Sequence, residues 1–164
     1  MKRLALLSAS LFLVLGLLAP STAQAQVKLG PRLGFDAGDV EGAFIGADVR
    51  FGTAALPVTL NPTFDIYFPD AGSFWGLSGN ALYTFGINNQ VFDPYAGGGL
   101  GVYRRSIDVG TVDASSTDLG LNFLFGAEFS AGGLSPFLEA QVTPIFADGS
   151  STLFTIKGGL LFSL

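Results

Sequence analysis

Beyond the first 25 positions, few side chains in this sequence can do chemistry. Histidine and cysteine are both absent. Without histidine there is no Ser-His triad, no imidazole acid–base pair and no ordinary zinc site. Without cysteine there are no disulfides and no thiolate ligands. What remains is charge. Lys28, Arg32, Asp48, Arg50, Asp65, Arg105, Glu128, Glu139 and Lys157 each stand on the polar side of a two-residue alternation. The chemistry such a set supports is ion pairing inside a confined space, where an unpaired charge is costly.

Two other groupings mimic sites. Asp36, Asp39 and Glu41, with Asp108 and Asp113, resemble a calcium cluster, but no EF-hand spacing accompanies them, and solvated loop charge is the better reading. The glycines from Gly97 to Gly101 resemble a phosphate loop, yet the lysine and the following helix that cradle phosphate are missing. Neither a metal nor a cofactor is expected.

The elements that must position the charged set are strands. From Val27, the residues Leu29, Pro31, Leu33 and Phe35 alternate with Lys28, Gly30, Arg32 and Gly34. The same rhythm recurs over 44–51, 58–68, 75–85, 94–105, 118–129, 136–145 and 153–164, which predicts eight strands with a polar turn at 36–42 and the longest loop over 106–116. Strands of about 9–11 residues suffice to cross a bilayer at a tilt. Pro31, Pro62 and Pro144 interrupt three of them, so bulges or strand ends are expected there.

Composition says what the faces meet. Hydrophobic residues make up 49% of the chain and charged ones only 13%, with 16 phenylalanines, yet no apolar run after residue 25 is long enough for a membrane helix. Lys2 and Arg3, the apolar stretch Leu4 to Leu18 and the small-x-small Ala23-Gln24-Ala25 form a secretory signal. Cleavage after Ala25 leaves residues 26–164 as one domain. Removing two of the eight basic residues leaves six against thirteen acidic ones, a net charge of −7 that argues against nucleic acid.

A soluble barrel would bury the apolar face, whereas a membrane barrel turns it outward and lines the lumen with the polar one. Three features favour the second. Aromatic residues load the strand ends, with Phe35, Phe68, Trp75 and Phe154 toward one rim and Phe51, Phe85, Phe129 and Phe162 toward the other. Of the mature basic residues only Arg104 falls on the apolar face, beside a loop. The polar face mixes glycine with charges of both signs, as a narrow interior requires. The expected fold is therefore all-β: an eight-stranded antiparallel up-and-down transmembrane barrel with a polar, side-chain-filled lumen. Arg32 with Asp48, and Glu139 with Lys157, fall at matching depths on neighbouring strands and are expected to pair as a mid-depth plug.

The stretches Gly30-Pro31-Arg32-Leu33-Gly34-Phe35, Ile45-Gly46-Ala47-Asp48-Val49-Arg50-Phe51, Pro94 to Gly101 and the closing Lys157 to Leu164 carry a resemblance. The mature chain resembles the OmpA/OmpX-type family of small outer-membrane β-barrels, although the last residue is Leu164 where the family has an aromatic. The resemblance implies an outer-membrane location, export by the general secretory route, insertion by the assembly machinery and contact with membrane lipid and lipopolysaccharide; the sequence leaves the oligomeric state open, with a monomer expected. It also implies that enzymes among such barrels use a histidine, which this chain lacks. The expected role is non-enzymatic, structural or surface-interacting. A narrow channel or small-solute transporter is the second reading, and a secreted soluble barrel binding an apolar ligand the third.

Overall fold

The computed structural model describes residues 25–53, 56–87, 91–109, 112–147 and 151–164. The expected signal segment and the side chains of Asp108 and Asp113 lie outside what it describes. Eight strands follow one another: β1 (Ala25–Asp36), β2 (Gly42–Thr53), β3 (Leu56–Pro69), β4 (Ser73–Thr84), β5 (Phe92–Val109), β6 (Val112–Phe129), β7 (Leu134–Phe146) and β8 (Ser151–Ser163). Each pairs antiparallel with the next, and β1 pairs with β8, so the sheet closes on itself. Closure leaves no sheet edge around the barrel wall. Ala25 and Leu164 lie at one mouth, called here the terminal end, and the β5–β6 hairpin projects from the distal end.

The faces are inverted relative to a soluble barrel. Arg32, Asp48, Asn61, Asn122, Glu139 and Lys157 are buried, whereas Leu33, Phe125 and Ile156 are more than 60% exposed. Every strand follows its alternation: even positions of β1 and β2 point inward, then odd positions of β3 and even ones of β4. A one-residue slip would send each charge to the outside, so the pattern fixes the register.

The prolines are accommodated differently from expectation. Neither a bulge nor a strand end occurs at Pro31, Pro62 or Pro144. Each pairs continuously on one side, with Ala47, Gly79 and Thr152 respectively. On its other side the ladder skips: Leu29↔Phe162 resumes at Arg32↔Gly159, Asp48↔Thr63 at Phe51↔Leu60, and Gly120↔Ile145 at Phe123↔Val142, with register unchanged. A missing N–H thus costs one local gap in one ladder.

A second correction concerns 106–116. Far from a loop, β5 and β6 pair without interruption out to Val109↔Val112. The alternation fades because Ser106, Ser115, Ser116 and Thr117 are polar on both faces, while the backbone ladder persists.

Candidate functional site in the barrel interior

The interior is filled in layers. At the distal end, Phe44, Tyr67, Phe74 and Tyr103 pack ring against ring round the wall, with centroids 4.7, 5.0 and 6.0 Å apart. Val40, Ile145 and Leu153 complete this apolar layer. Its rings need room, which glycines provide. A Cβ at Gly76, Gly101 or Gly120 would stand 2.6–2.7 Å from a Tyr103 ring carbon.

Beneath it lies a polar circuit. Asp48 accepts from Arg50 Nε at 3.1 Å and from Asn61 Nδ2 at 2.8 Å. Asn80 donates to Asn61 at 3.4 Å, and Asn122 donates to Asn80 at 2.8 Å. Thr143 donates to Asn122 at 2.9 Å and accepts from Gln141 at 2.7 Å. Lys157 donates to Gln141 and stands 2.9 Å from Glu139 Oε1. Tyr95 donates to Glu139 Oε2 at 2.9 Å and accepts from Arg50 at 3.1 Å, which closes the ring. Residues from β2 to β8 take part, so the circuit crosses the whole lumen.

The positions singled out from sequence divide into four groups, of which Glu139 with Lys157, paired as expected, is the first. Arg32 reaches Asp65 through Nε at 2.7 Å and again through Nη2, and holds Asp48 only at 3.4 Å. Its main partner is therefore Asp65 on β3 rather than Asp48, since a planar guanidinium takes one carboxylate through two N–H groups. Arg50 bridges Asp48 to Glu128 at 2.9 Å, and Lys28 joins Glu128 at the terminal end. Arg105 stands apart. It lies 5.5 Å over the Phe74 ring at the distal mouth and makes no ion pair among the described residues. Extension of β5 places position 105 opposite Ser116, well above the charged layer.

Asp36 is also misplaced by sequence reading. It is fully buried and accepts N–H groups from Phe154 at 2.8 Å, Val40 at 3.2 Å and Glu41 at 3.3 Å, tying the β1–β2 turn to β8. Asp39 likewise accepts from Thr152 at 2.6 Å. Both carboxylates, spent on backbone donors, fasten the turn to β8. Among the described residues no group of three or more His, Cys, Asp or Glu side chains is placed to hold a metal. Sequence reasoning missed Asn61, Asn80, Tyr95, Asn122 and Gln141, which connect the ions. Their signal was present, since an amide on the inward face of a strand must find partners there.

A closed barrel of eight strands, apolar outside and ion-paired inside, defines an integral membrane barrel of the smallest kind. The chain belongs to the outer membrane protein beta-barrel domain family, whose profile matches residues 10–133. No curated protein sequence matches it. Similar solved structures include the N-terminal beta-barrel domain of Pseudomonas aeruginosa OprF, with a TM-score of 0.66, 15% identity and coverage of 85% of this chain and 100% of that one. Neisserial surface protein A gives 0.64 at 14% identity, covering 85% and 96% respectively. Ail, the attachment invasion locus protein of Yersinia pestis, gives 0.63 at 14%, covering 85% and 97%. At such identities the likeness concerns the fold.

Proposed function

We propose that this protein is a non-enzymatic, non-conducting barrel of the outer membrane, exported after cleavage at Ala25, with both termini in the periplasm and a surface-interaction role at its distal end. The observation that carries this reading is the contrast between a filled lumen and a projecting hairpin. β4 stops pairing at Ser73↔Ser106 and β7 at Leu119↔Phe146. Among the described residues, 107–109 and 112–118 therefore have ladder partners only within the hairpin. Unpaired N–H and C=O groups along such edges suit an extended partner segment. Ail has been crystallised with the heparin analogue sucrose octasulfate. The distal cavity here is lined by Asp39, Glu41 and Asp70 against the single Arg105, so its charge favours a basic partner over a sulfated one.

Membrane lipid, lipopolysaccharide and the assembly machinery are the contacts this reading requires. An epitope inserted between Gly110 and Thr111 should bind antibody on intact cells, and protein from the outer-membrane fraction should begin at Gln26. Planar bilayers should show no steady current. Antibody access only after permeabilisation would reverse the orientation, and sustained conductance would favour a channel.

A further inference from the structure

The outward face of β4–β6 combines two features that no contact among the described residues explains. Just above the apolar belt, Arg104 is the one basic residue that points outward among the described residues. Its Nη1 and Nη2 each donate at 3.3 Å, to Thr117 and Ser115, and it makes no ion pair among the described residues. Trp75 is its cross-strand neighbour. Directly beneath runs a groove of about 370 Å³ walled by Leu77, Leu100, Val102 and Leu119, with Gly79 in its floor.

Gly79 is the informative residue. At the inward Gly76, Gly101, Gly120 and Gly126 a Cβ would strike Tyr103 or Tyr95. A Cβ at Gly79 would meet nothing within 4 Å, and its φ is not positive. This glycine relieves no clash and no strain in its own chain. It keeps open a depression on the lipid-facing side.

We propose that this face is a site for one membrane lipid with a phosphate headgroup, its phosphate on Arg104 and one acyl chain in the groove over Gly79. A guanidinium flanked by hydroxyls offers a phosphate oriented donors, and among the described residues no carboxylate pairs with it. The groove supplies only hydrocarbon contact. Headgroup and tail recognition are thus stacked along the membrane normal, in the order a lipid presents them. The site rests on the membrane reading above.

Trp75, the only tryptophan, reports on both. The full-length mature protein is placed in phosphatidylcholine vesicles containing either acyl-brominated phosphatidylglycerol or acyl-brominated phosphatidylcholine. Quenching of Trp75 should show about fivefold preference for the anionic lipid, the effect of one basic residue at a membrane surface. Arg104→Gln should abolish the preference while Arg104→Lys keeps part of it. Gly79→Leu, which has space to fold, should weaken quenching by both lipids, with far-UV circular dichroism confirming the barrel. Equal quenching by the two lipids, or a preference that survives Arg104→Gln, overturns the site but leaves the membrane reading standing. Loss of the preference on adding millimolar inorganic phosphate assigns Arg104 to free phosphate and also overturns it. Absence of quenching by any brominated lipid overturns both.

Discussion

The distal and terminal halves of the interior occupy similar space by opposite means. The distal half is a collar of rings: Phe44, Tyr67, Phe74 and Tyr103 in mutual contact, with glycines opposite them. The terminal half is a mesh of ions and amides in which Asp48, Arg50, Glu128, Glu139 and Lys157 each hold a named partner. Rings ask for volume, and dispersion rewards any arrangement that fills it. Buried ions ask for geometry, because each unmatched charge carries its desolvation cost alone. The two halves should therefore answer mutation by different rules.

The largest effect is expected where one carboxylate serves several cations. Asp48 is fully buried and touches Arg50, Arg32 and Asn61. Asp48→Ala should destabilise the barrel by about 3–5 kcal/mol, read as a drop in urea midpoint in lipid vesicles. Adding Arg50→Met should recover part of the loss, because it removes one of the stranded charges. A loss below about 1 kcal/mol for the single variant would show that the terminal half is filled like the distal one, by volume.

The outer face gives the next test. Phe123 is 54% exposed at mid-strand, whereas its neighbour Asn122 is completely buried. Phe123→Arg should cost roughly 2–4 kcal/mol in a bilayer and much less in detergent that can thin around the charge. An equal cost in both media would contradict the lipid-facing assignment.

In the distal half, a single methyl group is the sharper probe. A Cβ at Gly120 would lie 2.7 Å from a Tyr103 ring carbon and 2.9 Å from Thr143 Cγ2. Gly120→Ala should cost about 1–3 kcal/mol by overpacking, while Gly79→Ala on the open outer face should be close to neutral in the same urea titration. Equal costs at the two glycines would mean that backbone flexibility, not room for the ring, explains them.

How much of this was legible in the sequence follows from what two-residue alternation encodes. It marks a strand wherever the two faces meet different surroundings, and all eight strands cross such a boundary. It fails where both faces meet water, which is why the tips of β5 and β6 read as a loop. It also fixes the facing of a residue without fixing which strand supplies its partner. Arg32 was placed inward, but its preference for Asp65 on β3 over Asp48 on β2 depends on how far each side chain reaches across the lumen. The aromatic collar was hidden for a related reason. Phe44, Tyr67 and Phe74 sit on the polar side of their strands, where their apolar character looks like an exception until the rings are seen together.

The smallest expected effect falls on the residue that joins the two kinds of packing. Tyr95 lies with Leu82 and Leu124 in an apolar cluster, and the Arg50 guanidinium stands 4.8 Å over its ring. Its hydroxyl is the shortest link between the Arg50 and Glu139 ends of the polar circuit. Tyr95→Phe keeps the ring and removes only that link. Arg50 still holds Asp48 and Glu128, and Glu139 still faces Lys157, so no charge is left alone. The cost should be near that of one ordinary hydrogen bond, about 0.5–1.5 kcal/mol. Its diagnostic value lies in coupling. With Tyr95 present, Arg50→Met and Glu139→Gln share a hydrogen-bonded bridge and should be non-additive by more than about 0.5 kcal/mol; in a Tyr95→Phe background the same pair should add within that margin. Persistent coupling would mean that the two ions sense each other directly across the lumen, by charge rather than through the hydroxyl. The terminal half would then behave as one electrostatic body and not as a circuit of discrete bonds.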